Sequence, residues 1–338
     1  MKHTHKNILN PALLSLLLSA AVPVQAATIN KTFCVSQTSK SLSGQSVTFW
    51  GYSDCGGGGM GGGGMGGMGS ATIPGPLIEI GAGDTLNLSL NVGMMTPQEP
   101  SPYNGHTIHL HGADVMTSED GTPETNGNVV NGDTYTWAPL ANEAGSYPYH
   151  CHVHTVKHLE MGMYGAVVVR PRDAAGAFMK RITANAATAY DYEQVYVLST
   201  VDPAYHTATM DSTVFGDYNA KYFLIGGKEG KTTSAPAMTL AAAKSKKAAF
   251  RLIGMHSTNA TFGIKDSAGN LKPFTVYVED GRALPTARTA TSVDLSPGQR
   301  ADLIVTLPST TGTWYPQVTY KNLRDGGPLG TVFGKVTF

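Results

Sequence analysis

The chain has 338 residues and a mass of 35.5 kDa, enough for about two domains of roughly 100 to 200 residues each. Hydrophobic residues make up 41% of it, so it can bury a substantial core. Basic and acidic residues number 24 each, and charged residues are only 14% of the chain, against roughly 25% in typical soluble domains. This balance argues against a polyanion-binding protein, and we expect no nucleic-acid partner.

The first 26 residues have the pattern of a cleavable signal peptide. Lys2 and Lys6 precede the apolar run 12–22, and the segment 24–26 supplies small residues for cleavage. This run is shorter than the about 20 residues that a membrane-spanning helix needs, and no later stretch is a better candidate. We therefore expect an exported protein, periplasmic or secreted, without a membrane span.

The cysteines divide into a pair and a single residue. Cys34 and Cys55 lie near the expected mature N-terminus, whereas Cys151 lies among histidines. Because an exported protein is not exposed to cytosolic reductants, we expect a disulfide between Cys34 and Cys55 and a functional thiol at Cys151. The alternative for the pair is two unlinked thiols.

Residues 56–69 are of low complexity and contain eleven glycines around three methionines, Met60, Met65 and Met68. Such a composition cannot pack and predicts a flexible loop. Its methionines leave two interpretations open. The loop is either a plain linker or a collector of Cu(I), which thioethers bind.

The remaining pattern is that of short strands. Residues 76–90 alternate apolar and polar side chains around the turn 81–84, and 166–169 is a short apolar run that ends before Pro171. The segment Thr239 to Phe250 is the one stretch with helical composition. Short strands separated by Gly, Pro and Asn turns predict an all-β protein of β-sandwich type.

Seven of the eleven histidines lie between His106 and His158. A strand's two-residue period places His109 and His111 on one face and His106 on the other. In His150-Cys151-His152 the same period places both imidazoles on one face and the thiol on the opposite one. If the two strands are neighbours, four imidazoles meet on one side, while His106 and Cys151 meet on the other.

An imidazole and a thioether follow at His158 and Met163. Two imidazoles, a thiolate and a weak axial thioether are the ligand set of a blue-copper electron-transfer centre. Structural zinc is the alternative, but zinc sites are usually closed sets of four ligands, and eight candidate positions exceed that need. Because Cys151 is covalently joined to both flanking histidines, an electron at a copper on its thiolate would have a short through-bond route to a second metal.

A weak internal repeat relates the two halves. Asn131-Gly132-Asp133, a strand and then 145–152 in the first half resemble Pro297-Gly298-Gln299, a strand and then 312–319 in the second. The repeat aligns the His-Cys-His triplet with Gln317, Val318 and Thr319. The second half therefore lacks this ligand set.

Together these motifs resemble the multicopper oxidases and, more distantly, the two-domain copper nitrite reductases, both built of cupredoxin domains. The similarity covers about 74–171 and is carried by Pro74-Gly75-Pro76, the His-x-x-His-x-His-Gly motif that begins at His106, and the His-Cys-His motif. Beyond Tyr190 it is looser and rests on 278–281 and 295–298.

The resemblance implies a domain organisation and a copper-ligand set. It implies two cupredoxin-like Greek-key β-sandwich domains, 27–171 with copper and 190–338 without copper ligands, joined by a linker at 172–189. It also implies type 1 copper at His106, Cys151, His158 and Met163. The imidazole of His109 would face a type 2 copper, and those of His111, His150 and His152 a type 3 pair.

The spacing departs from the oxidase pattern in one place. His158 comes seven residues after Cys151, whereas five is usual in the oxidases, so His154 inside the enlarged loop is an alternative ligand. Glu160 and Asp114 lie close to the ligands in sequence and are candidates for orienting imidazoles or passing protons.

The activity that the resemblance implies is one-electron oxidation of a reductant, a cuprous ion or a phenol-like molecule, coupled to reduction of dioxygen to water. A trinuclear cluster uses eight histidines, and this chain offers four at matching positions. We therefore expect a homo-oligomer that shares the cluster, either a dimer of first domains or a ring that recruits His256 or His206 of a neighbour. An electron carrier or copper-tolerance protein, and a nitrite-reductase-like enzyme, remain the alternatives.

Overall fold

The first half of the chain forms a β-sandwich. The structure is a computed structural model that describes residues 26–55, 70–92, 104–130, 132–138, 143–207 and 218–338. Its first eight strands are β1 (Thr28–Leu42), β2 (Gln45–Asp54), β3 (Ile78–Gly81), β4 (Thr85–Asn91), β5 (His109–Leu110), β6 (Asp133–Trp137), β7 (Gly145–His150) and β8 (Tyr164–Arg170). They form two sheets, in the orders β2-β1-β4-β6 and β3-β8-β7-β5. We call this unit the first sandwich.

The second half forms another sandwich. Its strands are β9 (Tyr192–Val201), β10 (Tyr222–Ile225), β11 (Met238–Ala241), β12 (Lys247–Gly254), β13 (Asn259–Asp266), β14 (Phe274–Glu279), β15 (Arg282–Ala290), β16 (Ser292–Leu295), β17 (Arg300–Thr306), β18 (Thr313–Lys321) and β19 (Pro328–Thr337). The sheet orders are β10-β9-β12-β17-β14-β15 and β11-β19-β18-β13-β16. We call this unit the second sandwich. The prediction of an all-β fold with two cupredoxin-like sandwiches is confirmed.

Helices are short. Among the residues that the structure describes, they comprise α1 (Pro123–Asn126), α2 (Thr155–Met161) and two 3-10 turns, Thr117–Glu119 and Ala186–Thr188. Within the described ranges, no helix has the length and apolar character needed to cross a membrane. The predicted signal peptide, 1–26, lies outside the described residues except for its last residue.

Alternation of side chains builds the first core. In β4 the residues Leu86, Leu88 and Leu90 are fully buried, and the polar residues between them are only half buried. Before this strand, the Asp84 carboxylate accepts the Gly81 N–H at 2.7 Å and so closes the turn that the sequence predicts. An alternating strand of this kind buries one face against a single core.

Strand β7 differs because all of its residues are buried. Tyr147 and Tyr149 face the first core, and the alternate residues face the second sandwich. On that side the Ser146 hydroxyl donates to Asp302 at 2.7 Å, and the Arg251 guanidinium donates to Asp302 at 2.9 Å. The residues that follow β7 therefore have one face in a core and the other between the two sandwiches.

The composition of Thr239 to Phe250 gives a wrong indication of helix. The segment forms β11 and the first half of β12, separated by a turn. In β12, residues 248–253 are almost completely buried between the neighbouring strands β9 and β17. Pairing within the sheet overrides the helical propensity of alanine and lysine here.

The predicted disulfide is confirmed, since Cys34 in β1 is bonded to Cys55 just after β2. It closes the end of the β1–β2 hairpin immediately before the Gly/Met-rich segment. That segment, with Met60, Met65 and Met68, lies outside the described residues, so the two interpretations of it both remain predictions.

Candidate metal centre

Backbone pairing brings the two histidine motifs together. Strands β5 and β7 are antiparallel neighbours, with His109 opposite His150, and the N–H of His111 donates to the carbonyl of Pro148 at 3.0 Å. Residues directly opposite on paired strands point to the same face. The two histidine motifs therefore lie on neighbouring strands, as the predicted meeting of four imidazoles on one face requires.

The thiol lies on the core side with two imidazoles. Cys151 Sγ is 3.1 Å from Nδ1 of His158 and 3.9 Å from Nδ1 of His106, and all three side chains are almost completely buried. A tetrahedral metal with bonds of about 2.3 Å to sulfur and 2.0 Å to nitrogen would set these distances at about 3.5 Å. The spacing and the donor atoms therefore fit a metal with thiolate and imidazole ligands. We call this group the thiol cluster.

The enlarged loop after Cys151 holds a short helix, α2, that sequence reasoning did not foresee. His154 precedes it in the left-handed conformation, with φ 41°, and the chain then turns back so that His158 reaches the thiol. The His154 ring centroid is 6.0 Å from that of His158. His154 is not among the residues whose donor atoms lie close together at the thiol cluster.

The fourth predicted ligand of this cluster, Met163, is fully buried in the same core. Its backbone N–H donates to the carbonyl of His158 at 3.0 Å, and its carbonyl accepts the N–H of Cys151 at 3.0 Å. These two bonds hold Met163 beside both residues. The side chain of Met163 therefore shares a core with the thiol cluster, where a thioether would serve as a weak copper ligand.

Four imidazoles occupy the opposite face, and we call them the imidazole cluster. The ring centroid of His109 lies 5.8 Å from that of His111, 5.2 Å from that of His150 and 5.1 Å from that of His152. Donor nitrogens of His109, His111 and His150 lie within 4.8 Å of one another. His152 stacks on His150 at 5.7 Å and lies outside that closest group.

Hydrogen bonds to backbone carbonyls fix which nitrogen two of these rings present. The Nδ1–H of His109 donates to the carbonyl of Asp120 at 2.7 Å, and that of His150 donates to the carbonyl of Cys151 at 2.9 Å. A carbonyl can only accept, so Nε2 of both rings carries the lone pair. His150 Nε2 lies 3.4 Å from His111 Nδ1, close to the about 3.3 Å between two nitrogens on one tetrahedral metal.

Burial keeps the imidazoles of His111, His150 and His158 neutral. It lowers the pKa of His150 and His158 to about 3 and that of His111 to about 4, with the Arg300 charge as the second cause at His111. Burial also lowers the pKa of His106 well below its usual value and raises that of the Cys151 thiol to about 11. Neutral imidazoles are ready ligands, whereas the thiol must release its proton when it binds a metal.

A cavity of about 370 Å³ separates the imidazole cluster from the second sandwich. The wall from the first sandwich includes His111, His150, His152, Val156 and Leu159, and the opposite wall includes Gly254, Met255, His256, Ser257, Pro297, Gly298 and Leu323. The face that carries the imidazoles is therefore covered by this chain's own second sandwich.

His256 is a further imidazole at this cavity. It is 2% exposed, and its Nδ1–H donates to the carbonyl of Thr258 at 2.8 Å. Its Nε2 is buried and has no hydrogen-bond partner among the described residues, and burial lowers its pKa to about 4. A Cβ added at Gly254 would lie 3.0 Å from this nitrogen, so the glycine leaves room for the ring.

The other candidate histidine of the second half, His206, lies away from this cavity. It is buried between Phe49, whose ring centroid is 4.7 Å away, and Glu160, whose Oε1 is 3.5 Å from its Nε2. Asp114 likewise contacts no imidazole in the described contacts and instead pairs with Arg282 at 2.7 Å.

Two residues near the thiol cluster were missed by the sequence argument. The N–H of Thr107 points at Cys151 Sγ, 3.5 Å away, and its hydroxyl accepts the N–H of His152 at 2.9 Å. Trp50 packs edge-on against the rings of His158 and His106, at 5.4 and 6.5 Å. Thr107 could have been suspected from its place inside the histidine motif, whereas nothing local marks Trp50.

Comparisons with known proteins confirm the resemblance that the motifs indicate. A family model described as "Multicopper oxidase" matches residues 67–174. Laccase-6 of Oryza sativa subsp. japonica is 26% identical over 268 residues, which cover 73% of this chain and 40% of the laccase. The copper-containing nitrite reductase of Alcaligenes xylosoxydans xylosoxydans is 28% identical over 191 residues, which cover 52% of this chain and 53% of the reductase. The matches thus span about half or less of these two relatives.

Solved structures agree on the fold. The blue copper oxidase from Nitrosomonas europaea superposes with a TM-score of 0.67 at 20% identity, covering 92% of this chain and 86% of the oxidase. The multicopper oxidase mgLAC gives a TM-score of 0.66 at 21% identity with the same coverage of both chains. At this identity the similarity establishes the cupredoxin-like architecture and leaves the chemistry to be argued from the site.

Proposed function

We propose that this chain, whose ligand-bearing segment matches the multicopper oxidase family, is an exported copper-dependent oxidase. It would take single electrons from a reductant at the thiol cluster and deliver them to dioxygen at the imidazole cluster. The observation that carries this proposal is the arrangement around Cys151. Its thiol faces two imidazoles in the core, while the histidines on either side of it face the cavity.

The donor atoms support copper at both clusters. Thiolate and thioether ligands favour Cu(I), and imidazole accommodates both oxidation states. When bound, copper would supply one-electron redox chemistry at the thiol cluster and dioxygen binding at the imidazole cluster. The ligand set proposed for the first is His106, Cys151, His158 and Met163, and for the second His109, His111, His150 and His152.

The chain's own residues would do the rest. Burial keeps water from the Cys151 sulfur, and the N–H of Thr107 lies 3.5 Å from it, where it would stabilise a thiolate. The carbonyls of Asp120 and Cys151 hold the rings of His109 and His150 in one tautomer. Fixed rings limit reorganisation when the charge at the site changes.

The cavity supports a small acceptor rather than a large one. At about 370 Å³ it is near the lower end for ligand pockets, and Val156, Leu159, Met255 and Leu323 make its lining largely apolar. Dioxygen is apolar and fits such a space. The reductant, a cuprous ion or a phenol-like molecule, would act at the thiol cluster.

A nitrite-reductase-like activity is the second candidate, and His256 favours it. With His256 across the cavity, a single copper on the imidazole cluster would have an additional imidazole nearby, and nitrite reductases are among the relatives.

The eight imidazoles of a trinuclear cluster would require a homo-oligomer. A dimer of first sandwiches would supply all eight, whereas contacts between the first and second sandwiches of different chains would add His256 and complete a smaller site.

Copper counting combined with electron paramagnetic resonance tests the proposal. The oxidase predicts a type 1 signal, a type 2 signal, further copper that is silent through coupling, and consumption of dioxygen. Equal type 1 and type 2 signals without a coupled pair would indicate the reductase, and one type 1 copper without turnover would indicate a carrier. Light scattering on the same sample measures the oligomer.

The substrate can be tested through the Gly/Met-rich segment. If its thioethers collect Cu(I), replacing Met60, Met65 and Met68 with leucine should slow oxidation of cuprous ion without changing turnover of an organic reductant. Equal rates for variant and parent on both substrates would leave the segment as a linker.

A further inference from the structure

The ligand helix α2 carries charged side chains on the face opposite His158. Because an α-helix turns about 100° per residue, Glu160 lies about 200° around the helix from His158, whereas Lys157 lies near the side of Glu160. Lys157 and Glu160 are only 3% and 5% exposed, although such residues are almost never buried without partners. Both take partners from the turn 202–207 of the second sandwich.

Glu160 makes one short hydrogen bond and one longer contact with this turn. Its Oε1 accepts the backbone N–H of Asp202 at 2.6 Å and lies 3.5 Å from Nε2 of His206. On the same side of the helix, the Lys157 ammonium donates to the carbonyl of Tyr205. Hydrogen bonds to charged groups are roughly twice as strong as neutral ones. The helix is thus held from behind by the second sandwich.

His206 also contacts the strand that supports the thiol cluster. Its Nδ1–H donates to the carbonyl of Thr48 in β2, and its ring packs edge-on against Phe49 at 4.7 Å. The next residue, Trp50, packs edge-on against the His158 ring at 5.4 Å. Three consecutive residues of β2 therefore connect His206 with a proposed copper ligand.

The same group of hydrogen bonds reaches the cavity. The Tyr218 hydroxyl is hydrogen-bonded to Glu160 and lies 2.8 Å from the Thr200 hydroxyl. Thr200 in turn accepts the N–H of Ser257 at 3.1 Å, and Ser257 lines the cavity. One side chain of α2 is therefore connected to the cavity wall of the second sandwich.

We propose that Glu160 is a positioning residue through which the second sandwich fixes the ligand geometry of the thiol cluster. Glu160 anchors α2 to Asp202 and His206, and α2 holds His158 Nδ1 3.1 Å from Cys151 Sγ. This inference rests on the proposed function, because it takes Cys151 and His158 as copper ligands. It gives the second sandwich, which lacks the His-Cys-His ligand set, a role in tuning the copper site.

The metal-free protein provides the first test. Cys151 is fully buried and is the free thiol of the chain, so its rate of reaction with a thiol-selective reagent reports how often α2 opens. Glu160→Ala should raise that rate about tenfold, because it leaves the Asp202 N–H buried without its acceptor. The matched control is Glu229→Ala, which removes two hydrogen bonds to Ser43 between the same sandwiches, of 2.7 and 2.6 Å. It should label at the parental rate.

The copper-loaded protein provides the second test. Glu160→Ala and His206→Ala should shift the thiolate-to-copper absorption band and the reduction potential, with the larger shift in Glu160→Ala. Glu160→Gln should restore most of the parental values, since its amide oxygen still accepts the Asp202 N–H. Glu229→Ala should leave band and potential at parental values.

Parental labelling rates and spectra in both Glu160→Ala and His206→Ala would overturn the inference and leave the proposed copper site standing. Equal changes in Glu229→Ala would also overturn it, because any loosened contact between the sandwiches would then suffice. If Glu160→Ala does not fold, His206→Ala, which keeps the bond to Asp202, decides by the same two readouts. A parent chain that binds copper without a thiolate-to-copper band would instead overturn the proposed function.

Discussion

Strand β7 of the first sandwich and strand β18 of the second present similar faces with different chemistry. Cys151, just after β7, and Val318 in β18 both belong to their hydrophobic cores, each at 0% exposure. The residues on either side of Cys151 are histidines, whereas those beside Val318 are Gln317 and Thr319. In each sandwich a fully buried residue is flanked by two residues that point out of the core. Only in the first sandwich are these three residues metal ligands by type.

The same sandwich scaffold can therefore carry a set of metal-ligand side chains or do without one. Val318 contributes only packing, while Cys151 combines packing with a donor atom that two imidazoles approach. The second sandwich nevertheless supplies one wall of the cavity and, on our proposal, the anchor of α2. The second sandwich therefore covers the imidazole cluster and, on our proposal, positions α2.

The largest expected effect on the copper-loaded protein comes from removing the sulfur donor of Cys151. Cys151→Ser should abolish the intense absorption of the copper-loaded protein, because an alcohol cannot replace the thiolate-to-copper charge transfer. Val318→Ser is the matched control. It buries a hydroxyl in the other core and should cost about 1–3 kcal/mol of stability without loss of colour. Absorption spectra and denaturant unfolding of both variants measure this, and colour retained in Cys151→Ser would refute the assignment.

A buried ion pair within the second sandwich lies directly behind the contact with β7, because Asp302 also accepts the Ser146 hydroxyl. Arg251 is 0% and Asp302 1% exposed, and their atoms lie 2.9 Å apart. Arg251→Met should lower the free energy of unfolding by about 3–5 kcal/mol, because it leaves the Asp302 charge buried without its partner. Denaturant unfolding of the metal-free chain measures it. The double variant Arg251→Met/Asp302→Leu should recover most of the loss, and no recovery would contradict this account.

Acid should weaken the metal-free chain in both sandwiches. Burial lowers the pKa of His150 and His158 to about 3 and that of His256 to about 4, against about 6.5 in the unfolded chain. Between these values the unfolded chain binds protons that the folded chain does not, so stability falls as the pH falls through this window. From pH 7 to 5 each such histidine should cost about 2 kcal/mol.

Substituting one histidine at a time checks this pH dependence. His256→Asn and His158→Asn should each reduce the loss of unfolding free energy between pH 7 and 5 by about the same amount, although the two residues lie in different sandwiches. An unchanged pH dependence in either variant would show that the histidine concerned is not buried in the neutral form.

The smallest effect is expected at the thioether. Met163→Leu should keep copper and colour, because the thioether is only a weak ligand. It should raise the reduction potential, because this weak ligand tunes the potential of the site. Met255→Leu, at the cavity wall of the second sandwich, is the control and should leave the potential unchanged. A redox titration followed by absorption measures both, and equal potentials in parent and Met163→Leu would remove Met163 from the ligand set.

Much of the site follows from local rules of the sequence. The two-residue period of a strand separates Cys151 from its neighbouring histidines whatever the rest of the fold, and it separates His106 from His109 in the same way. The disulfide between Cys34 and Cys55 follows from the number of cysteines and the expected compartment. These inferences need only a few consecutive residues.

The parts that the sequence left open depend on contacts between distant segments. Nothing near His150 indicates that Gly254 and His256, more than 100 residues later, line the same cavity. The helix α2 is also hard to foresee, because it has seven residues and begins after a left-handed His154. Its charged residues are buried only because the second sandwich supplies partners, which no local pattern records.

Anomalous diffraction at the copper absorption edge from copper-loaded crystals would locate copper at the two clusters. We expect one peak in contact with Cys151, His106 and His158, and at least one separate peak among His109, His111 and His150 on the opposite face of the strand. Copper at the imidazoles with none in contact with the Cys151 thiolate would contradict the proposed assignment.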